Sequence, residues 1–164
     1  MRRIAVVWHF RAEDTMRAFG RAAAIAAVLV SVAGMAAAAE VRVLGVDAVE
    51  QAVRGLAADF AKETGHQVVF TIASPAVVMN KIAANETHDA VIVSEPAMDQ
   101  LDKDGIINPE SRVRLARDAS TAYEGALTTD GKVPEAARAF VRFLTDPDAR
   151  AKWIAGKLEP LADH

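Results

Sequence analysis

The sequence holds 164 residues, 52% of them apolar and 25% charged, and no cysteine. That balance fits one globular domain, and the missing cysteine excludes disulfides, thiolate metal sites and a cysteine nucleophile. The formal net charge is −3, and without a Lys/Arg run or interleaved aromatics such a chain has no electrostatic footprint for nucleic acid.

The chain opens on an upstream extension followed by a segment that reads as a processing signal. Arg17 and Arg21 precede the uncharged run "AAAIAAVLVSVAGMAAAA", which ends in Ala37-Ala38-Ala39 before Glu40. A basic start, a small apolar stretch and a small-x-small end predict a secretory signal peptide cleaved near Ala39. The competing reading is a membrane-spanning helix of about eighteen residues, but so alanine-rich a stretch is weakly hydrophobic for a permanent anchor, and it ends on alanines. Residues 1–15, "MRRIAVVWHFRAEDT", fit neither an n-region nor a fold, so translation starts at Met1 or at Met16. Removing residues 1–39 takes away five basic and two acidic side chains and moves the formal net charge to −6. The expected division is therefore an extension plus signal over 1–39 and one lobe over 40–164, located in the periplasm.

From Glu40 the chain alternates strands and helices. "VRVLGV", Val41 to Val46, reads as a short buried strand, with Asp47 as a helix N-cap. Val49, Val53, Leu56 and Phe60 repeat at helical spacing, and Thr64-Gly65 supplies a C-cap glycine. "QVVFTI" from Gln67 is the second strand; Val78, Ile82 and Ala83 give a short apolar helical face, and "AVIVS" from Ala90 is the third strand. Pro96, Met98 and Leu101 mark another short helix, ended at Asp104-Gly105. Three such units imply parallel strands joined by right-handed crossovers.

Residues 108–132 are polar and non-periodic, apart from a strand expected at Tyr123 to Thr128. Ala137, Phe140, Val141 and Leu144 then form one apolar stripe, Asp146-Pro147 caps the next helix, and Ala151, Trp153, Ile154 and Leu158 form its stripe. The predicted fold class is α/β: a single three-layer lobe with a mainly parallel sheet.

The chain carries no spacing of the H-x-x-x-H kind, no G-x-S-x-G and no Gly-rich phosphate loop. His66 and His88 read as exposed turn residues, and Glu95, Asp99, Asp102 and Asp104 as a solvated acidic face. Binding is favoured over catalysis, with no cofactor. Ser74, in "TIASPAVVMNKI", stands at the end of the second strand and the start of the second helix, the place where open α/β sheets bind ligands. Unpaired N–H groups there favour an anion. Two readings of Ser74 stand, a helix cap or a ligand contact, and Asp47 opposes an anion at the first helix start.

Three segments, "VRVLGVDAVEQAVRGLAADFAKETGHQVVF", "NKIAANETHDAVIVSEPAMDQLDKDGIINPESRVRLAR" and "AARAFVRFLTDPDARAKWIAGKLEP", resemble the molybdate-binding-like periplasmic solute-binding proteins of ABC importers. The resemblance covers Val41 to Arg117 and about Tyr123 to Pro160. It implies a two-lobed type II flytrap fold whose C-terminal helices complete the first lobe, and an oxyanion held between the lobes by helix N-termini and hydroxyls. The residues it implies are Ser74 as hydroxyl contact and the backbone N–H groups of Ala48, Val49, Ala76 and Val77. Two features depart from the pattern: Ala48 stands where molybdate-binding relatives have serine, and Pro75 follows Ser74. The larger departure is at 117–123, where a second lobe on the order of a hundred residues is expected and the returning segment follows at once. The implied partners are a small oxyanion solute and a membrane permease. The alternative is a non-transporting remnant or interaction domain whose exposed cleft face pairs with another chain, a homodimer being one such pairing.

Overall fold

The computed structural model describes residues 38–161. The upstream extension and the signal-like run up to residue 37 lie outside them. Six strands form one sheet in the order β2-β1-β3-β5-β4-β6. They are β1 Glu40–Val46, β2 Gln67–Ala73, β3 Ala90–Ser94, β4 Val113–Arg117, β5 Ala122–Leu127 and β6 Glu159–Pro160. The helices are α1 Glu50–Thr64, α2 Pro75–Ala83, α3 Glu95–Lys103, α4 Pro134–Phe143 and α5 Arg150–Ala155.

β1 pairs in parallel with β2 and with β3, whereas β5 runs antiparallel to both β3 and β4. The sheet is thus mixed, with a parallel half that follows the expected βα order and an antiparallel half that does not. β4 corrects the reading of 108–132 as irregular: Val113–Arg117 forms a hairpin with β5, broken by a register shift between Arg114 and Ala116. Strand β6, only two residues long, closes the far edge against Arg117 and Ala116.

Right-handed crossovers place the helices. The step from β1 to β2 goes one way along the sheet and the step from β2 to β3 goes the other, so α1 and α2 lie on opposite faces. α1 packs on β2 and on α5, and α4 packs on β1 and β5. α2 covers β1 and β2 on the other face, beside α3 over β3 and β5. The central strand β1 is buried on both sides from Val43 to Val46, as a parallel core strand requires.

The helical periods are realised where an apolar face met the sheet. Val49, Val53, Leu56 and Phe60 are all buried, and α1 ends at Gly65 with φ 76°, a left-handed value that glycine adopts without steric cost. On α4, Ala137, Phe140 and Val141 are buried together with Leu144 just past its end. Phe140 meets Phe60 and Phe70 edge-on, with centroids 5.2 and 5.8 Å apart. Trp153 is buried and donates its indole N–H to the Leu144 carbonyl at 3.0 Å, whereas Ile154 is 62% exposed. The expected second stripe is therefore only half right. α5 is too short to bury two adjacent positions, and Ile154 turns outward beside Trp153.

One buried acid joins segments that are far apart in sequence. Asp89, just before β3, is 4% exposed. Its Oδ2 accepts the Arg42 N–H at 2.8 Å, and its Oδ1 accepts those of Lys132 at 2.6 Å and Val133 at 3.1 Å. Its own N–H donates to the Arg42 carbonyl, and its carbonyl accepts from Thr128. Gly131 passes so close that a Cβ there would lie 3.1 Å from the Asp89 Cα.

Truncating Phe140 to alanine would empty a fully enclosed site between two helices and the sheet. The expected loss of unfolding free energy is about 3–5 kcal/mol, read by urea denaturation. An unchanged midpoint and slope would show that α4 does not complete this core.

Candidate functional site

The carboxyl ends of the three parallel strands lie side by side. Val46 is level with Ala73, and Gly45 with Ile92, so Asp47, Ser74 and Ser94 follow one another along a single edge. Ser94 pairs with Tyr123, which brings the start of β5 and the turn before it to the same edge. Each parallel strand passes directly into a helix there, through Asp47–Val49, Ser74 and Ser94.

The first helix start differs from the expected cap. Val46 is the N-cap residue, and Asp47 opens a 3-10 turn, Asp47–Val49, without making a side-chain capping bond. Asp47 and Ala48 are exposed at the edge, and Val49 is buried in the core. The i→i+3 bonding of such a turn engages the Val49 amide first, which leaves the Asp47 and Ala48 amides as the freer donors.

The second helix start is at Ser74. It is the N-cap residue, with φ −62° and ψ 154°, yet its side chain makes no capping bond. Its hydroxyl is therefore uncommitted, although Ser-Pro is an ordinary capping pair. Ser74, Pro75, Ala76 and Val77 are all exposed. The first bond of the helix runs from the Val78 N–H to the Ser74 carbonyl at 3.0 Å, so the Ala76 and Val77 amides precede the intrahelical ladder.

Ser94 was not among the expected contacts. It caps α3 at φ −65° and ψ 152°, nearly the conformation of Ser74, and its side chain likewise makes no capping bond. The signal was present in the sequence: "IVSEP" repeats the strand-end serine and nearby proline of "TIASP".

Carboxylates crowd the same edge. Asp118 organises the turn between β4 and β5: its Oδ1 accepts the Ser120 and Thr121 N–H groups, each at 2.8 Å, and its Oδ2 accepts the Tyr123 hydroxyl at 2.8 Å. The Ser120 amide, the Tyr123 hydroxyl and the Thr121 amide hold its carboxyl down to about 2. Burial, then the bond to Asp118, pushes the Tyr123 phenol up to about 12, with a smaller push from the negative charge of Asp47. Asp47, Glu95 and Asp118 thus set negative charge against the partial positive charge of the helix starts.

Two other expectations change. His88 is buried rather than exposed, 7% accessible, with Nδ1 2.9 Å from the Glu86 carbonyl. Asp99 and Asp102 are not a free solvated face: both reach Arg112, which also pairs with the buried Glu124. Among the described residues, no group of three His, Cys, Asp or Glu side chains is placed to hold a metal, and no helix is long and apolar enough to cross a membrane.

An open α/β lobe with helix starts gathered at one sheet edge is the architecture of the type II solute-binding proteins. Residues 41–121 match the model of the family described as bacterial extracellular solute-binding protein. Among solved structures, the chain is similar to the substrate-binding domain of a molybdenum ABC transporter from Clostridium difficile. That match has a TM-score of 0.69 at 8% identity and covers 76% of this chain and 100% of the other. The periplasmic molybdate-binding protein of Azotobacter vinelandii matches with a TM-score of 0.67 at 12% identity, covering 76% and 100%. The sulfate-binding protein SubI of Mycobacterium tuberculosis matches with a TM-score of 0.64 at 12% identity, covering 75% and 87%. No curated protein matches the chain in sequence. The matched family and these structures are described as binding proteins rather than enzymes.

The turn at Asp118 generates a pH prediction. A carboxyl whose folded value lies below its ordinary 3.8 contributes stability that is complete above that ordinary value and is lost as pH falls toward about 2. The stability difference between the wild type and Asp118→Asn should therefore be constant from about pH 7 to 5 and shrink as pH drops toward about 2. A difference that stays flat over the whole range in urea titrations would show that the carboxylate does not hold the turn.

Proposed function

We propose that the chain is the extracytoplasmic solute-binding component of an ABC importer and holds a small tetrahedral oxyanion at the carboxyl edge of β1, β2 and β3. The observation that carries this reading is the uncommitted Ser74 hydroxyl at the exposed start of α2, level with the exposed start of the first helix. Ser74 donates its hydroxyl, and the backbone N–H groups of Ala48, Val49, Ala76 and Val77 form the anion nest, with Ala48 stronger than Val49 for the reason given above. The family description and the molybdate and sulfate proteins of similar fold support the class of ligand. A membrane permease is the partner that receives the solute. The alanine-rich segment before Glu40 exports the chain to the periplasm and is cleaved near Ala39.

Binding on this edge is weak. The hairpin at Asp118 turns the chain straight back where the resemblance implies a crossing to a second lobe, so in this reading donors come from one side only and the other side faces water. A helix terminus facing water contributes about 0.3–1 kcal/mol, whereas micromolar affinity requires roughly 8 kcal/mol. Asp47 and Asp118 subtract further. Calorimetry with molybdate, tungstate, sulfate and phosphate should give millimolar dissociation constants at best, weakened again by Ser74→Ala. Submicromolar binding by a monomer would contradict the one-sided site. Mass spectrometry of periplasmic material should find a mature N-terminus at or near Glu40, and an intact chain held in the membrane fraction would sink the export claim.

A further inference from the structure

A pocket at the amino ends of the parallel strands, opposite the carboxyl edge, carries an inference that does not depend on the solute reading. It has a volume of about 220 Å³ and lies among the segments that follow α2, α3 and β5. Leu44 and Val91, level with each other on β1 and β3, form its buried floor, and the half-buried Ile82 and Ile106 flank them. His88 joins the floor, 7% exposed, with its Nδ1 2.9 Å from the Glu86 carbonyl.

The hydrogen-bond chemistry of the lining is one-sided. A carbonyl oxygen can only accept, so in the neutral imidazole the Glu86 contact places the His88 proton on Nδ1 and leaves Nε2 an acceptor. That Nε2 has no protein partner among the described residues, and none of their fully enclosed side-chain nitrogens or oxygens is left unpaired, so it opens to the space that the ring lines. The Thr128 hydroxyl donates to the His88 carbonyl, and the Thr129 hydroxyl to the Gly105 and Ile106 carbonyls, each at 3.2 Å. Toward the pocket both offer lone pairs alone. Asp130, exposed at the mouth, makes no ion pair among the described residues, whereas Glu86 is paired with Lys81. Arg42 and Lys132 line a groove on another side of His88 and not this pocket. Among the lining side chains, the Asn85 amide alone has N–H groups to spare.

We propose that this pocket binds a small organic ammonium ion, whose apolar body rests on Leu44, Ile82, Val91 and Ile106 and whose N–H groups donate to His88 Nε2. The Asp130 carboxylate at the mouth balances its charge. A wholly apolar occupant would leave Nε2 unpaired and cut off from water, and an anion would meet lone pairs and a carboxylate. An apolar cavity of about 150 Å³ takes up benzene, so about 220 Å³ admits a ring of that size with a short amine attached. The ligand chemistry is the reverse of that proposed for the carboxyl edge, so one molecule cannot satisfy both sites.

Amide and imidazole NMR of the protein as the cell produces it, at about pH 8 where an ordinary imidazole is neutral, tests this with benzylammonium as the probe. Saturable shifts at millimolar probe are expected at Asn85, His88, Thr128, Thr129 and Asp130 and not at Ser74 or Ala76, and the His88 Nε2 signal, unprotonated before binding, should move with them. Benzyltrimethylammonium keeps the ring and the charge but has no N–H, and should bind about tenfold or more weakly. Benzoate should not bind here. Asp130→Asn, at an exposed position, should weaken benzylammonium about twofold to fivefold with the fold intact. His88→Phe keeps a buried ring without Nε2 and should weaken it about tenfold; if that variant does not fold, Asp130→Asn and the trimethyl probe decide. No saturable shift in the pocket up to about 20 mM, benzoate bound as tightly as benzylammonium, or benzylammonium bound no better than its trimethyl analogue and undiminished by Asp130→Asn, would overturn the proposal.

Discussion

The fold depends on one buried carboxyl group. Asp89 takes N–H groups from β1 and from the segment entering α4, while its own backbone bonds to Arg42 and Thr128. It therefore fixes the start of the central strand, the start of β3, the end of β5 and the approach of the C-terminal helices in one place. Without it, three part-buried N–H groups would lose their acceptor, a loss that costs most where water cannot replace it. Because α4 is held there, Phe140 reaches Phe60 and Phe70, and the aromatic cluster ties the last third of the chain to the first two strands.

The polar groups that hold the fold together are thus separate from those at the proposed binding edge. Asp89 and the Gly131 approach lie at the amino ends of the parallel strands, and the helix starts lie at the opposite edge. The amino end spends its polar groups on the fold. At the carboxyl edge the Ser74 and Ser94 side chains, although at the N-cap positions of their helices, make no capping bond. The turn at Asp118 is the exception, a carboxylate fully used by backbone and phenol that nonetheless projects negative charge over the site. The same asymmetry underlies the weak affinity proposed for an oxyanion at this edge: the donors would be backbone dipoles, and the opposing groups are whole charges.

Much of the α/β half was legible because periodic apolar residues faced a sheet. Val49, Val53, Leu56 and Phe60 could bury only as a helix, and β-branched runs before Asp47 and after Gln67 could bury only as strands. What escaped had a physical cause. Strand β4 reads "VRLAR", where outward-facing arginines mask the alternation, and only Leu115 and Ala116 bury fully. Strand β6 is too short to have a period. His88 looked like turn polarity because burial there is imposed by residues 128–133, some forty positions later. The strand-to-helix position of Ser74 was legible; the freedom of its hydroxyl was not, since cap and ligand contact call for the same residue.

The central claim is that solute meets this lobe at the carboxyl edge of its parallel strands. Backbone amide chemical shifts followed by NMR during titration with molybdate test it most directly, because they locate even a millimolar contact. The account predicts saturable shifts at Ala48, Ala76 and Val77, smaller ones at Val49, and none at the Asp89 junction or along β6. Shifts centred on any other face, or an edge that stays silent while calorimetry reports binding, would contradict it.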